Sequence, residues 1–210
     1  MSRRSGAHAG GRQGESPTPP RPRGRPRDER VDAAVCAAVR RLLVESGYAN
    51  TTMQEIARWS GTSLPAIYRR WPSKAELVQH AVLLGAERRP IDPDGDFFEE
   101  LARYIDGVVA VLCDEVTVAA LPGLLMDLHG DAGLRERYYG VFSSQLAPFG
   151  KLVGNAIDGG VVPGDMTAER LNLVIAGTAL GWSLNNPGEA AFDLKHLIFH
   201  FVCRAIRPDP

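Results

Sequence analysis

Between residues 28 and 84 apolar side chains recur every three or four positions, in short runs that polar caps open and glycine or proline closes. Val31, Val35, Ala38 and Leu42 make one stripe, with Arg30, Arg40, Arg41 and Glu45 off it, which predicts a first helix. Gly47 supplies its stop, and Tyr48 can fold back on it. Thr51 or Thr52 caps a second helix over 53–59, with Glu55 three residues after Thr52 as in a capping box and Met53, Ile56 and Ala57 inward. Ser60-Gly61-Thr62 makes a turn. Ser63 caps a third helix with Pro65 in its first turn, where a missing N–H costs nothing. Ile67 and Trp71, four apart, face inward and leave Leu64, Ala66, Tyr68 and Arg69 outside. Pro72 stops this helix, and Ser73, with Glu76 three residues on, caps a fourth that carries Leu77, Val78, Ala81, Val82 and Leu84.

A turn-rich stretch, residues 88–95, separates this region from longer helices. Phe98, Leu101, Ile105, Val108 and Leu112 mark an amphipathic helix over 97–114. The next, over 117–129, is apolar nearly all round and contains Pro122, so it is expected to be buried on several sides. A long helix runs to about residue 158, with Pro148 expected to kink it, until Gly159-Gly160. Helices over 167–184 and 192–206 follow. No alternation of period two has useful length, so the expected class is all-α. Residues 28–88 form a three-helix helix-turn-helix domain with the fourth helix behind it, and residues 96–207 form a helical bundle.

Charge divides at the same place. Residues 1–90 hold 16 Lys+Arg against 8 Asp+Glu, whereas residues 91–210 hold 8 against 17. One half suits a polyanion and the other repels it, as expected of a nucleic-acid reader joined to a different module. The three cysteines, Cys36, Cys113 and Cys203, are far apart among apolar neighbours, with no CxxC or zinc spacing, and are expected to be reduced thiols. With no apolar leader segment and no run approaching a membrane span, a cytoplasmic protein without membrane contact is expected.

Residues 1–27 are rich in Arg, Gly, Pro and Ser and have almost nothing large to bury, which predicts a disordered basic arm. Within it Pro22-Arg23-Gly24-Arg25-Pro26-Arg27 resembles the core of an AT-hook. Glycine lets such a backbone sit deep in a narrow minor groove, prolines keep it extended, and Arg23 and Arg25 would lie along the groove floor. The alternative is a solubilising tail.

Glu45-Ser-Gly-Tyr48, Thr51-Thr-Met-Gln-Glu-Ile-Ala57, Ser60-Gly-Thr-Ser63, Ile67-Tyr-Arg-Arg-Trp71 and Pro72-Ser-Lys-Ala-Glu-Leu77 together resemble, in order and spacing, the N-terminal signature of the TetR family of bacterial transcriptional regulators. The resemblance covers roughly residues 28–84 and is much weaker beyond. It implies a homodimer whose third helices enter successive major grooves of partly palindromic double-stranded DNA. Thr51 or Thr52 and Ser63 would cap helices that point at phosphates, Tyr68 would press on the backbone, and Lys74 would pair with another phosphate. Base reading would fall to Thr62, Leu64, Ala66 and Arg69. Many relatives place Lys, Gly and Thr where this chain has Leu64, Pro65 and Ala66. Readout then rests on thymine methyls and on arginine to guanine, which gives the Arg23/Arg25 arm more to do. Trp59, beside the turn, either packs on the fourth helix or rests on sugar-phosphate.

The family further implies a small-molecule effector held in the bundle. Tyr104, Val108, Leu125, Met126, His129, Tyr138, Phe142, Phe149 and Trp182 offer apolar walls with a few polar tips, the composition of a ligand pocket or, equally, of plain core. Ala176, Gly177, Ala179 and Gly181, followed by Leu194, Leu197, Ile198 and Phe201, suit a four-helix dimer interface. His196 and His200, four apart, are expected to be interface or surface histidines and not metal ligands, and no cofactor is expected. With no nucleophile motif or phosphate-binding loop, the sequence argues against an enzyme. Two readings result: a repressor released from its operator by a small molecule, or a DNA-binding dimer without an effector, acting as an architectural or constitutive repressor.

Overall fold

The computed structural model describes residues 25–84, 90–186 and 192–206. Among them no strand occurs. The helices are α1 (Arg25–Asn50), α2 (Met53–Ser60), α3 (Leu64–Tyr68), α4 (Lys74–Gln79) running on into a π turn (His80–Leu84), α5 (Phe97–Leu112), α6 (Glu115–Gly130), α7 (Ala132–Asp158), α8 (Ala168–Asn185) and α9 (Phe192–Ala205). The boundary expected near residue 88 and most of the basic arm lie outside the described residues, although α1 begins at Arg25, three residues before the expected start.

Local signals act as their chemistry requires. Gly47 has φ 73° and interrupts the helical path of α1, a conformation that a side chain would strain. Gly61 (φ 64°) closes α2 in the left-handed conformation, its N–H donating to the Ala57 carbonyl. The Thr52 hydroxyl accepts from the Glu55 N–H (3.2 Å), so Thr52 is the cap of α2. Ser73 and Glu76 form a complete capping box on α4.

Two apolar cores form. One joins α1, α2, α3 and α4 through Val35, Val39, Leu43, Ile56, Ile67 and Leu77; the other joins α5, α8, α9 and the second half of α7 around Leu101, Phe149, Leu171 and Ile175. The expectation that α6 is buried on several sides is met in its first half only, since Pro122, Leu125 and Met126 are exposed. Val116, Ala120, Leu124 and Leu128 enter the first core, together with Leu134 of α7. α6 is therefore packed with the N-terminal helices while belonging in sequence to the acidic half. α7 runs through Pro148 without a break in its assigned length.

Glu100, buried on α5, pairs with Arg103 at 2.5 Å and accepts from the Asp92 N–H at 3.3 Å, anchoring the segment before the bundle. No single helix among the described residues is long and apolar enough to cross a membrane.

Candidate nucleic-acid interface and ligand cleft

α3 is only five residues long and is held from behind. Ile67 is fully buried and Trp71 nearly so, while Arg70 reaches α1 and pairs with Asp32 at 2.7 Å. Arg70 is thus a strut between helices rather than part of a solvated face. The opposite side presents Tyr68 (45% exposed) and Arg69, with Thr62, Leu64 and Ala66 half-buried beside them. Leu64 also packs partly on the first core. Among the described residues no ion pair engages Arg69, whereas Arg58 is paired with Glu55 at 2.7 Å and Arg41 with Glu45 at 2.6 Å. Trp59 carries the Arg41 guanidinium 4.2 Å above its ring, so this exposed indole pins α2 to α1.

Of the expected phosphate contacts, Thr51 and Lys74 make bonds within the chain, while Ser63 stays exposed at its cap position. Thr51 is fully buried and its hydroxyl donates to the Gly47 carbonyl (2.9 Å), which takes it away from any ligand surface. Ser63 occupies the cap position of α3 and is exposed, but its side chain makes no capping bond. Lys74, expected to pair with a phosphate, instead sits 4.0 Å above the Tyr48 ring and donates to the Tyr48 carbonyl at 3.1 Å. Arg23 and the side chain of Arg25 lie outside the described residues.

Tyr48 is the centre of a joint between the N-terminal helices and α6. Its hydroxyl donates to Asp127 on α6, and its ring lies against Gly123 so closely that an added Cβ would meet Cδ1 at 2.2 Å. Burial first, then the bond to Asp127 and the charge of that carboxylate, push the Tyr48 phenol far above its ordinary range, so it stays protonated. Two ion pairs flank the joint: Arg40 to Asp114 at the start of α6 (3.2 Å), and Arg137 of α7 to Glu76 of the α4 capping box (2.6 Å).

On its other side α6 lines a cleft of about 590 Å³, shared with α5, α7 and α8. Of the residues expected to form a pocket, Tyr104, Val108, Leu125, His129, Tyr138 and Phe142 lie together on its wall. Met126 does not; it is 72% exposed, and a helix apolar on every face gives no periodic cue by which the sequence could tell the wall side from the outer one. Trp182 does not either. It lies in a separate depression with Leu194, Leu197 and His200, and its buried indole N–H has no hydrogen-bond acceptor among the described residues. Phe149 is fully buried core, stacked on Tyr104 at 3.8 Å. The sequence reading missed Arg135, Gln145 and Asn172 on the wall. Asn172 had a signal, an amide flanked by the apolar residues Leu171 and Leu173 of α8; it accepts from the Tyr104 hydroxyl at 2.5 Å.

α8 and α9 leave an apolar surface uncovered: Leu173, Val174 and Leu184 on one, Leu197 and Phe201 on the other. Leu194 and Ile198, expected on the same stripe, turn inward instead. His196 and His200 are exposed, and no group of residues able to hold a metal occurs among the described residues.

The fold and the α3 face define a helix-turn-helix head carried on a helical bundle. Residues 36–81 match the family model for bacterial regulatory proteins of the tetR family. An uncharacterised helix-turn-helix transcriptional regulator of Bacillus subtilis, YdeS, is 31% identical over 91 residues, 43% of this chain and 46% of that protein. The matched stretch thus spans less than half the length of that relative. Among solved structures, the regulator FadR from B. subtilis in complex with stearoyl-CoA shares the fold with a TM-score of 0.65 at 16% identity, covering 83% of this chain and 99% of that one. The TetR family transcription regulator SCO0332 aligns with a TM-score of 0.58 at 25% identity, over 85% of this chain and 99% of that one. Residues 36–81 thus carry the N-terminal domain described for bacterial regulatory proteins of the tetR family, and the rest of the chain shares the fold of solved regulators.

Proposed function

We propose that this chain is a homodimeric transcriptional repressor that leaves its operator when a small molecule fills the cleft between α5, α6, α7 and α8. The observation that carries this reading is the double packing of α6: one face belongs to the core of the DNA-binding head and the other to the cleft wall. In it, Thr62, Leu64, Ala66 and Arg69 meet base edges. Thr52, Ser63 and Tyr68 meet phosphates, and Arg23 and Arg25 lie in the adjoining minor groove. Lys74 keeps two of its three ammonium donors for a phosphate while the third stays on Tyr48.

The exposed faces of α8 and α9 would pair with their symmetry mates, which fixes the separation of the two heads. Half-sites lie roughly 34–36 Å apart, one helical turn. A ligand that displaces α6 moves Gly123 and Asp127, and with them Tyr48 and the head. A shift of a few ångströms prevents both heads from engaging at once, and linkage then requires operator DNA to weaken ligand binding by the same factor.

The test is a mobility shift on DNA upstream of the chain's own gene, with and without a small-molecule extract of the cells. The expected result is a two-chain complex that the extract dissolves. A complex that no extract fraction perturbs would instead favour a DNA-binding dimer without an effector.

A further inference from the structure

Resting on the reading that the α5–α8 cleft holds a small molecule, we infer that its ligand is a monocarboxylic acid with an apolar body, and that Arg135 selects for the acid. The walls are apolar, formed by residues such as Val108, Val111, Leu121 and Phe142. Among the described lining residues none is Asp or Glu, so no carboxylate there would pair with a cation. The polar groups instead favour an acceptor. Tyr104 donates to the Asn172 carbonyl oxygen, which leaves the Asn172 amide N–H groups as donors on the inner wall.

At the exposed rim stand Arg135 and His129. One Arg135 nitrogen, Nη1, donates to the carbonyls of Leu128 (3.2 Å) and His129 (3.4 Å), fixing the side chain at the end of α6. No ion pair to Arg135 occurs among the described residues, and the neighbouring Asp131 is engaged by the Leu134 N–H at 2.9 Å. A guanidinium has five donors in a planar fork, so the remaining ones form a site for a carboxylate. Its placement at the mouth puts the charged head of a ligand near water and the apolar body against the buried wall, which avoids desolvating the acid fully.

Calorimetric titration of the full chain with decanoate, decanol and decylamine tests this, because the three share one apolar body and differ only in the head. Decanoate is expected to bind tighter than decylamine by about tenfold or more, the scale of a charge-assisted hydrogen bond. Arg135→Gln should remove that preference, Arg135→Lys should keep most of it, and Ala176→Trp, which fills the cleft, should abolish binding of all three. Circular dichroism checks that each variant is folded. Decylamine binding as tightly as decanoate, or a preference that survives Arg135→Gln, would overturn the inference and leave the cleft as a binding site. If none of the three binds the parent chain, or if Ala176→Trp leaves their binding intact, the cleft reading falls as well.

Discussion

Replacing Gly123 by alanine probes the joint through which α6 holds the end of α1. A Cβ at this position would lie 2.2 Å from Cδ1 and 2.5 Å from Cγ of Tyr48, so the ring has to move. Two effects oppose each other. Alanine in place of glycine inside a helix gains about 1 kcal/mol. Forcing a methyl group into a filled site costs about 1–3 kcal/mol, and a displaced ring also loses its hydroxyl bond to Asp127, about 1 kcal/mol. The clash wins, for a net destabilisation of roughly 1–3 kcal/mol and a fall in Tm of about 2–4 °C for each kcal/mol in a chain of this size. In a Tyr48→Gly background, which removes both the ring and the Cβ that would lie 2.9 Å away, the clash is gone and only the helical gain remains, so the same substitution should stabilise by up to about 1 kcal/mol. Urea or thermal unfolding of the four proteins reads both signs. An alanine at 123 that stabilises the parent chain would refute the close packing of Tyr48 on α6.

Further outcomes follow from neighbouring contacts. Arg69→Ala should leave Tm unchanged while weakening DNA binding by about 1–3 kcal/mol, whereas Arg70→Ala should lower Tm by breaking the pair with Asp32; anisotropy titrations beside melting curves separate the two. Ser73→Ala removes one half of the α4 capping box and should cost about 1 kcal/mol in denaturant unfolding. Because the fold raises the Tyr48 phenol above the ordinary value near 10, its contribution to stability is full below about pH 10 and is lost above it, where the unfolded chain ionises first. Unfolding measured from pH 9 to 11 should therefore show a fall that is smaller in Tyr48→Phe.

Features set by a few adjacent residues were legible in the sequence. Gly47 and Gly61 mark helix ends because only glycine takes a positive φ freely, Ser73 with Glu76 reads as a capping box at a fixed spacing, and the four-residue step from Ile67 to Trp71 finds the inner face of α3. The long-range choices were not legible. Lys74 is as good a phosphate ligand as a partner for Tyr48, and only the fold brings the two together across 26 residues. Thr51 and Thr52 are interchangeable as caps in sequence; the fold buries the first, its hydroxyl donating to the Gly47 carbonyl, and leaves the second at the helix start. In the cleft, Tyr104 and Phe142 were recoverable as aromatic residues on amphipathic helices, but α6 offered no polar face by which Leu125 could be told from Met126. Trp182 misled because a large aromatic residue fits a pocket wall and a helix interface equally well.

Selection of bound duplexes from random DNA, made with the parent chain and with Arg69→Ala, tests the central claim most directly. If the α3 face reads DNA from a dimer, the parent chain recovers a partly palindromic sequence with half-sites about one helical turn apart, and Arg69→Ala loses preference at one position in each half-site. Recovery of no common sequence by the parent chain, or the same sequence with undiminished preference from Arg69→Ala, would contradict it.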